Sequence, residues 1–291
     1  MVSTLGKYAQ VVSARSTDAE IVKGSQDGGI VTTLFAYALE NNIIDGAIVA
    51  GPGDLPWKPE PMVAMNRAEL LAARKTKYNI SPNVKLLREA TRSFGLDKVG
   101  IVGVPCQIQG IRKAQLYPIA MRDVPEKIAL VLGIFCMEVF PYQSMLQLVE
   151  DHANTKLESV SKMEIGKGKF TVCTDRCGIT QLPLKVTHKY EQPGCHVCLD
   201  YVATLADIST GSVGSPDGWS TVFVRTKKGQ DVWNQAVAAG FFETKPMDQV
   251  KPGLDLVTKL ATEKITKNKK TLDARANLGV GKGLRNPYIT T

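Results

Sequence analysis

Two cysteines separated by two residues, Cys195 and Cys198, form the strongest local metal signal in the sequence. They follow Pro193-Gly194, a dipeptide that favours a tight turn. This spacing lets both thiolates reach a single metal centre. Two sulfurs do not complete a tetrahedral site, so further ligands must come from elsewhere in the chain.

The other four cysteines allow two ways to complete such a site. Cys173 and Cys177 combine with the pair into C-x3-C, a gap of seventeen residues and C-x2-C, close to a zinc-ribbon pattern. Cys106 and Cys136 instead combine with it into four thiolates suited to an iron-sulfur cluster. Both sets stay open on this evidence. A third interpretation is that Cys106 and Cys136 are simply buried as small hydrophobic residues.

Glycines mark two segments where the backbone could approach a ligand closely. The first, residues 25–29 (SQDGG), precedes a helical pattern that begins at Ile30. Free N–H groups at such a helix start suit an anion, although Ser25 and Asp27 could equally cap an ordinary helix. The second segment holds Gly211, Gly214 and Gly218 after a short strand pattern at residues 206–208.

A basic cluster ends in an aromatic residue at Tyr78. Arg74, Lys75 and Lys77 precede it at the end of a helical pattern over residues 67–78. Such a cluster is commonly a solvated face, but the adjacent ring could also help to clamp a phosphate and cover a flat ligand.

The elements that must position these residues indicate an α/β fold. Strand patterns lie at residues 8–14, 43–50, 98–104 and 127–135, and helical patterns lie at 30–41, 67–78, 83–94, 107 onward and 145–152. We expect a mixed, largely parallel sheet with flanking helices. Cys106 and Cys136 each follow a strand, and ligands collect at the carboxyl ends of parallel strands.

The pattern changes after Asn154 to shorter, more polar strands at residues 159–165 and 169–174. We therefore expect three parts: an α/β part over residues 1–153, a smaller β-rich segment over 154–226 that carries the C-x2-C pair and the Gly-rich loop, and C-terminal helices with a basic tail over 227–291. Late elements are a strand at 220–226 and helices at 229–240 and about 254–266. The tail could be partly disordered or wrapped on a partner.

Bulk composition is typical of a globular protein that works in the cytoplasm. The 291 residues are 44% hydrophobic and 22% charged, with no apolar run long enough to span a bilayer and no signal-peptide pattern before Lys23. In a reducing compartment, six cysteines are better explained as ligands or catalytic thiols than as disulfides. The net charge of +8 favours an anionic ligand or acidic partner. Nucleic acid is not expected, because no recognised binding motif accompanies the charge.

Seven segments in order resemble the coenzyme F420-reducing hydrogenase beta subunit family, which includes F420-dependent dehydrogenase and formate dehydrogenase beta subunits. They are SQDGGIVTTLF, KTKYNISP, VGIVGVPCQIQGIR, LGIFC, CHVCLDY, ADISTGSVG and GWSTVFVRT, between about Ser25 and Thr226. The resemblance is closest to the hydrogenase branch, because many relatives carry an amino-terminal ferredoxin extension and this sequence has no cysteine before Cys106.

The resemblance implies a flavoprotein that binds FAD and one [4Fe-4S] cluster and exchanges electrons with coenzyme F420, a deazaflavin. It implies that the cluster ligands are Cys106, Cys136, Cys195 and Cys198, whereas Cys173 and Cys177 match no family motif. The matching FAD positions are Ser25, Gly28, Gly29, Lys77, Tyr78, Gly103, Pro105, Gln107, Gly211, Gly214, Gly218 and Trp219. The sequence has no G-x-G-x-x-G fingerprint, so we expect a non-Rossmann FAD site.

The implied mechanism places FAD between two kinds of electron transfer. A cluster moves single electrons and a deazaflavin accepts a hydride, so a flavin must convert one into the other. Hydrogen would be split on the nickel-iron large subunit of a partner hydrogenase, with electrons passing through its iron-sulfur small subunit. We expect no general base among the three histidines, which are His152, His188 and His196.

Two other functions remain open from the sequence. The same module could serve an F420-linked formate dehydrogenase or another F420 oxidoreductase, since the partner protein decides the electron source. From a different class, a zinc-stabilised binding protein without flavin or enzymatic activity would use the zinc-ribbon set.

Overall fold

The computed structural model describes residues 4–117, 123–175 and 178–277. Cys177 and the tail beyond residue 277 therefore lie outside the described residues. The strands are β1 (Gln10–Ser16), β2 (Gly46–Gly51), β3 (Glu60–Ala64), β4 (Val99–Gly103), β5 (Ile128–Ile134), β6 (Val160–Gly166), β7 (Lys169–Thr174), β8 (Ile179–Pro183), β9 (Ile208–Gly211), β10 (Ser220–Val224) and β11 (Phe242–Pro246). The α-helices are α1 (Ala19–Gly24), α2 (Ile30–Glu40), α3 (Arg67–Ala72), α4 (Leu87–Arg92), α5 (Pro105–Leu116), α6 (Tyr142–Gln147), α7 (Leu184–Thr187), α8 (Lys227–Ala238) and α9 (Leu254–Asn277).

Eight of these strands form one mixed sheet in the order β11-β1-β10-β9-β5-β4-β2-β3. The central strands β2, β4, β5 and β9 pair in parallel, and the four other pairings of the described sheet are antiparallel. The predicted α/β class with a mixed sheet and flanking helices is confirmed. The sheet is less parallel than we expected, because the N-terminal strand β1 and the late strands β10 and β11 extend its edge in antiparallel fashion.

Helices cover both faces of the large sheet, which explains the unbroken apolar runs of its central strands. In β5, Leu130 and Leu132 pack in the core beneath α2 and α8, while Val131 between them packs on the opposite face with α4 and α5. Alternate side chains point to opposite faces of a strand, so a strand buried on both faces must be apolar throughout.

A second, three-stranded antiparallel sheet is formed by β6, β7 and β8. Its strands β6 and β7 correspond to the two polar strands predicted after Asn154, and β8 is a strand that the sequence analysis did not predict. Strands from all three predicted parts of the chain contribute to the large sheet, and the division at residues 153 and 226 stays a prediction.

Several helices differ in their bounds from the expectation, and α3 and α9 differ in ways that bear on the site. The helix predicted over residues 67–78 ends at Ala72, because Lys75 adopts a positive φ of 74° and side chains take over the last carbonyls. The side chains of Arg74 and Lys77 donate to the main-chain carbonyls of Leu71, Ala73 and Arg74. Helix α9 runs to Asn277 instead of about residue 266. No helix among the described residues combines the length and apolar character needed to cross a membrane.

Candidate functional site

The carboxyl ends of β4 and β5 bring the first two candidate ligands to one edge of the sheet. These strands pair in parallel, with Gly103 beside Gly133. Cys106 lies in the first turn of α5, three residues after β4, and Cys136 lies two residues after β5. The predicted placement of both cysteines at the same sheet edge is confirmed.

Cys195 lies in a 3-10 turn, Pro193–Val197, and Cys198 follows that turn directly. The turn is hydrogen bonded to the chain after β5. The Gln192 N–H donates to the Val139 carbonyl at 2.9 Å, and the Cys136 N–H donates to the Tyr201 carbonyl at 2.9 Å. Residues on both sides of the pair are therefore anchored to the segment that carries Cys136.

The four thiols are close enough to influence one another electrostatically. Burial raises the pKa of the Cys106, Cys136 and Cys195 thiols, and charge on neighbouring thiolates raises it further. Cys198 acts on all three, and Cys136 also responds to Cys106 and Cys195. The five described cysteines form no disulfide with one another.

Cys173 lies elsewhere, in β7 of the small sheet. Its charge acts on Lys162 of the neighbouring strand β6. The structure thus brings Cys195 and Cys198 together with Cys106 and Cys136. Cys177, which the zinc-ribbon alternative also needs, lies outside the described residues.

Helix α9 supplies two buried polar side chains to this site that the sequence analysis missed. Lys264 Nζ donates to the carbonyls of Cys136 and Asp200 at 2.5 and 2.9 Å. Asn268 Nδ2 donates to the carbonyls of Cys195 and Cys198 at 2.8 and 2.7 Å. Their spacing in the sequence could have identified them, because Lys264 and Asn268 continue the helix face that the buried Val257 and Ala261 begin.

The thiols do not form a ready site for a single ion. Among the described residues, no three histidine, cysteine or acidic side chains converge as ligands of one metal ion would. In a [4Fe-4S] cluster each iron is bound by one cysteine sulfur, so the four cysteines are spread around the cluster instead of around a single ion. The four neighbouring thiols match in number and type the ligands that a four-iron cluster requires.

The first glycine segment packs tightly between strands. The Gly28 N–H donates to Ser220 Oγ at 3.1 Å, and an added Cβ would lie 2.6 Å from the Ala14 carbonyl oxygen. Gly29 begins α2 with a φ of 72°. The capping roles considered for Ser25 and Asp27 are wrong, because α2 has no side-chain cap and Ser25 donates to the Ile21 carbonyl of α1.

Three predicted FAD-binding segments border β6. Gln26 Nε2 donates to the Met163 carbonyl at 3.4 Å, and Tyr78 accepts a hydrogen bond from the Ile165 N–H at 3.1 Å. Burial, together with the nearby charges of Glu164 and Asp217, raises the pKa of Asp27 to about 6. Asp217 precedes Gly218 and Trp219, so the second glycine loop meets the first one here.

The basic cluster before Tyr78 contains a partly buried ammonium. Burial and the charge of Lys75 lower the pKa of Lys77 to about 8. Burial also raises the pKa of Tyr78 to about 12, so its phenol stays protonated at neutral pH.

A third group of predicted FAD positions lies around the start of α5. Gln107 Oε1 accepts from the Val104 N–H at 3.1 Å, and its Nε2 donates to the Ser81 carbonyl at 2.6 Å. Pro105 is buried at the first position of the helix, and a Cβ on Gly103 would lie 2.9 Å from Gln107 Oε1. Gln107 therefore ties the loop after Tyr78 to the turn that carries Cys106.

The glycines of the second loop differ in their roles. An added Cβ at Gly211 would lie 2.4 Å from the Phe135 ring, and one at Gly214 would lie 2.6 Å from Val257 of α9. Packing explains both. Gly218 has a φ of 77° and opens onto free space, and the adjacent Trp219 ring is covered by Lys245 Nζ at 3.9 Å from its centroid.

A cavity of about 750 Å³ lies between β1, β11 and the start of α9. None of the predicted FAD positions lines it. It is therefore distinct from the surface around β6.

Comparison with known proteins identifies the class to which this fold and site belong. The family model for the N-terminal part of coenzyme F420 hydrogenase/dehydrogenase beta subunits matches residues 11–88, and the model for their C-terminal part matches residues 96–250. The chain belongs to the coenzyme F420 hydrogenase/dehydrogenase beta subunit family. The resemblance noted in the sequence is confirmed.

Individual relatives are similar over almost their full lengths. The chain is 68% identical to the coenzyme F420 hydrogenase subunit beta of Methanosarcina barkeri over 284 residues, or 98% of each chain. It is 57% identical to that of Methanothermobacter thermautotrophicus, covering 95% of this chain and 98% of the relative. A chain in a solved structure of the xenon-derivatised F420-reducing [NiFe] hydrogenase complex from Methanosarcina barkeri is 66% identical, with a TM-score of 0.95 and coverage of 99% and 100%.

Proposed function

We propose that this chain is the electron-transfer beta subunit of an F420-reducing hydrogenase, which binds one [4Fe-4S] cluster and FAD and delivers a hydride to coenzyme F420. The grouping of Cys106, Cys136, Cys195 and Cys198 carries the proposal. Similarity to the beta subunits named for this activity supports it over nearly the whole chain.

The cysteine site suits ligation better than thiol catalysis. A buried thiol with a raised pKa is a poor nucleophile at neutral pH, because little thiolate is present. A bound metal displaces the thiol proton, and negative charge in this space is offset by the ammonium of Lys264. Cys106, the most exposed of the four, lies in the turn that Gln107 secures.

The proposed FAD site is the surface beside β6. The uncapped N–H groups of α2 and the ammonium of Lys77 would bind the pyrophosphate, and Tyr78 and Trp219 offer rings for the flat ligand. When bound, the cluster supplies one-electron transfer and the flavin converts between single electrons and a hydride. The Asp27 carboxyl sits in this neighbourhood with a pKa of about 6, so it is largely ionised at neutral pH and disfavours an anion placed directly against it.

The proposed partners are the large nickel-iron and small iron-sulfur subunits of a [NiFe] hydrogenase. Support comes from the solved complex in which a chain 66% identical to this one occurs. The net charge of +8 suits the anionic phosphate and glutamate tail implied for F420.

Metal and flavin content of matched cysteine variants tests the proposal. The full chain, purified anaerobically, should contain iron and flavin, and its visible absorption should decrease when reduced F420 is added. Cys136→Ser should lose most of the iron, whereas Cys173→Ser should retain it. A colourless chain with stoichiometric zinc, or iron loss in Cys173→Ser with retention in Cys136→Ser, would contradict the proposal.

A further inference from the structure

The inner face of α9 changes character where the helix crosses the cysteine segments. Val257, Ala261, Lys264 and Asn268 follow one another at spacings of four, three and four residues, so they share one face of the helix. All four are buried, and Lys264 and Asn268 are each only 3% exposed. The stripe is apolar over its first half and polar over its second.

Burying a lysine and an asparagine is costly unless their polar atoms find partners. Lys264 Nζ satisfies this need with the Cys136 and Asp200 carbonyls, which belong to two separate segments. Asn268 uses one amide nitrogen to hold the carbonyls at both ends of the C-x2-C turn, Cys195 and Cys198. The helix therefore joins the segment after β5 to the turn some sixty residues later in the chain.

Lys264 also brings an enclosed positive charge to the four thiols. Its ammonium is bonded to the main chain of Cys136 itself and of Asp200, two residues after Cys198. With only 3% of the residue exposed, water has little access to screen the charge. The charge is therefore enclosed between the segments that carry Cys136 and Cys198.

We infer that Lys264 is a positioning residue of the cysteine site that also raises the reduction potential of the cluster, while Asn268 positions the same site without contributing charge. This inference rests on the proposed function. Adding one electron makes the thiolate-bound cluster one unit more negative, and a nearby positive charge in a poorly hydrated space stabilises the more negative state. Removing the charge should make the potential more negative.

Four variants of α9 separate charge from positioning. Lys264→Met removes the buried charge and both hydrogen bonds, Lys264→Arg keeps the charge, and Asn268→Leu removes neutral hydrogen bonds only. Lys270→Met is the matched control, because Lys270 lies on the same helix with an exposed side chain. Lys267 is unsuitable, because it pairs with the buried Glu191 beside the C-x2-C turn. Water screens an exposed charge far more than an enclosed one.

The experiment is a redox titration of the full chain in its complex, followed by electron paramagnetic resonance, with iron content measured for each variant. We expect Lys264→Met to shift the midpoint potential downward well beyond Lys270→Met, and Lys264→Arg to restore most of the shift. Asn268→Leu should lower iron retention with a smaller change in potential. Equal potentials for Lys264→Met and Lys270→Met would overturn the inference, whereas an unsubstituted chain that binds no iron would instead overturn the proposed function.

Hydrogen exchange of the iron-free chain provides a readout that needs no bound cluster. Lys264→Met and Asn268→Leu should speed amide exchange at residues 136–139 and 195–201, and Lys270→Met should leave it unchanged. If Lys264→Met cannot retain iron, this measurement decides: unchanged exchange at both segments refutes the positioning role.

Discussion

The lowered pKa of Lys77 predicts that FAD binding weakens as the pH rises through 8. Lys77 Nζ donates to the carbonyls of Ala73 and Arg74 at the end of α3, and an ammonium has a third N–H to offer an anion. Burial and the charge of Lys75 bring its pKa from the ordinary 10.5 to about 8. The side chain is therefore about nine-tenths charged at pH 7 and about one-tenth charged at pH 9.

If only charged Lys77 binds the pyrophosphate, the apparent affinity for FAD should fall about tenfold between pH 7 and pH 9. Equilibrium dialysis of FAD against the flavin-free chain at both values measures this ratio. Lys77→Met should bind FAD more weakly at pH 7 and lose the pH dependence. Lys75→Met should move the fall to higher pH, because it removes the neighbouring positive charge that lowers the Lys77 pKa.

A similar tenfold fall in Lys77→Met would refute the role assigned to this ammonium. The stability of the flavin-free chain gives an independent check of the pKa itself. Lys77 loses its proton near pH 8 in the folded chain and near pH 10.5 in the unfolded chain. The free energy of unfolding should therefore increase as the pH rises between these values, because the unfolded chain then binds more protons than the folded chain.

Two further predictions concern stability, and urea unfolding measures both. Asp207 is buried and accepts hydrogen bonds from a guanidinium, a hydroxyl and a main-chain N–H, so Asp207→Asn should lower the free energy of unfolding by about 2–4 kcal/mol. The control Asp231→Asn breaks an exposed ion pair with Lys227 and should cost less than about 0.5 kcal/mol. Tyr78→Phe leaves a main-chain N–H of β6 without its acceptor and should cost about 1–2 kcal/mol. Equal losses for both aspartates, or no loss for Tyr78→Phe, would contradict these assignments.

Most central elements could be predicted from the sequence because their patterns are local. The segments at residues 98–104 and 127–135 are apolar throughout, as a strand must be when both of its faces are buried. The observed β4 and β5 match these two predicted strands closely. Helix ends were predicted less well. The end of α3 depends on Lys77 and Arg74 folding back onto carbonyls, and no periodicity reports such side-chain contacts.

The candidate site, like the fold, could be predicted only in part from the sequence. Residue type and strand-end position were enough to select Cys106 and Cys136 as candidates, since parallel strands deliver their carboxyl ends to one edge. The FAD positions predicted from the resemblance are explained only in part, because close packing already requires Gly28, Gly211 and Gly214 whether or not a ligand binds. Those assignments stay predictions.

The sequence by itself determined which side chains could do the chemistry, because thiols, glycines and strand patterns are properties of short segments. Only the tertiary structure decided which thiols are neighbours, since Cys173 and Cys106 are both plausible partners of Cys195 until the chain is folded. It also revealed that Lys264 and Asn268 are buried at the site, whereas their polar side chains would be expected at the surface from the local sequence alone. Their partners lie some sixty to one hundred and thirty residues away, and contacts over such separations arise from packing and leave no trace in local periodicity.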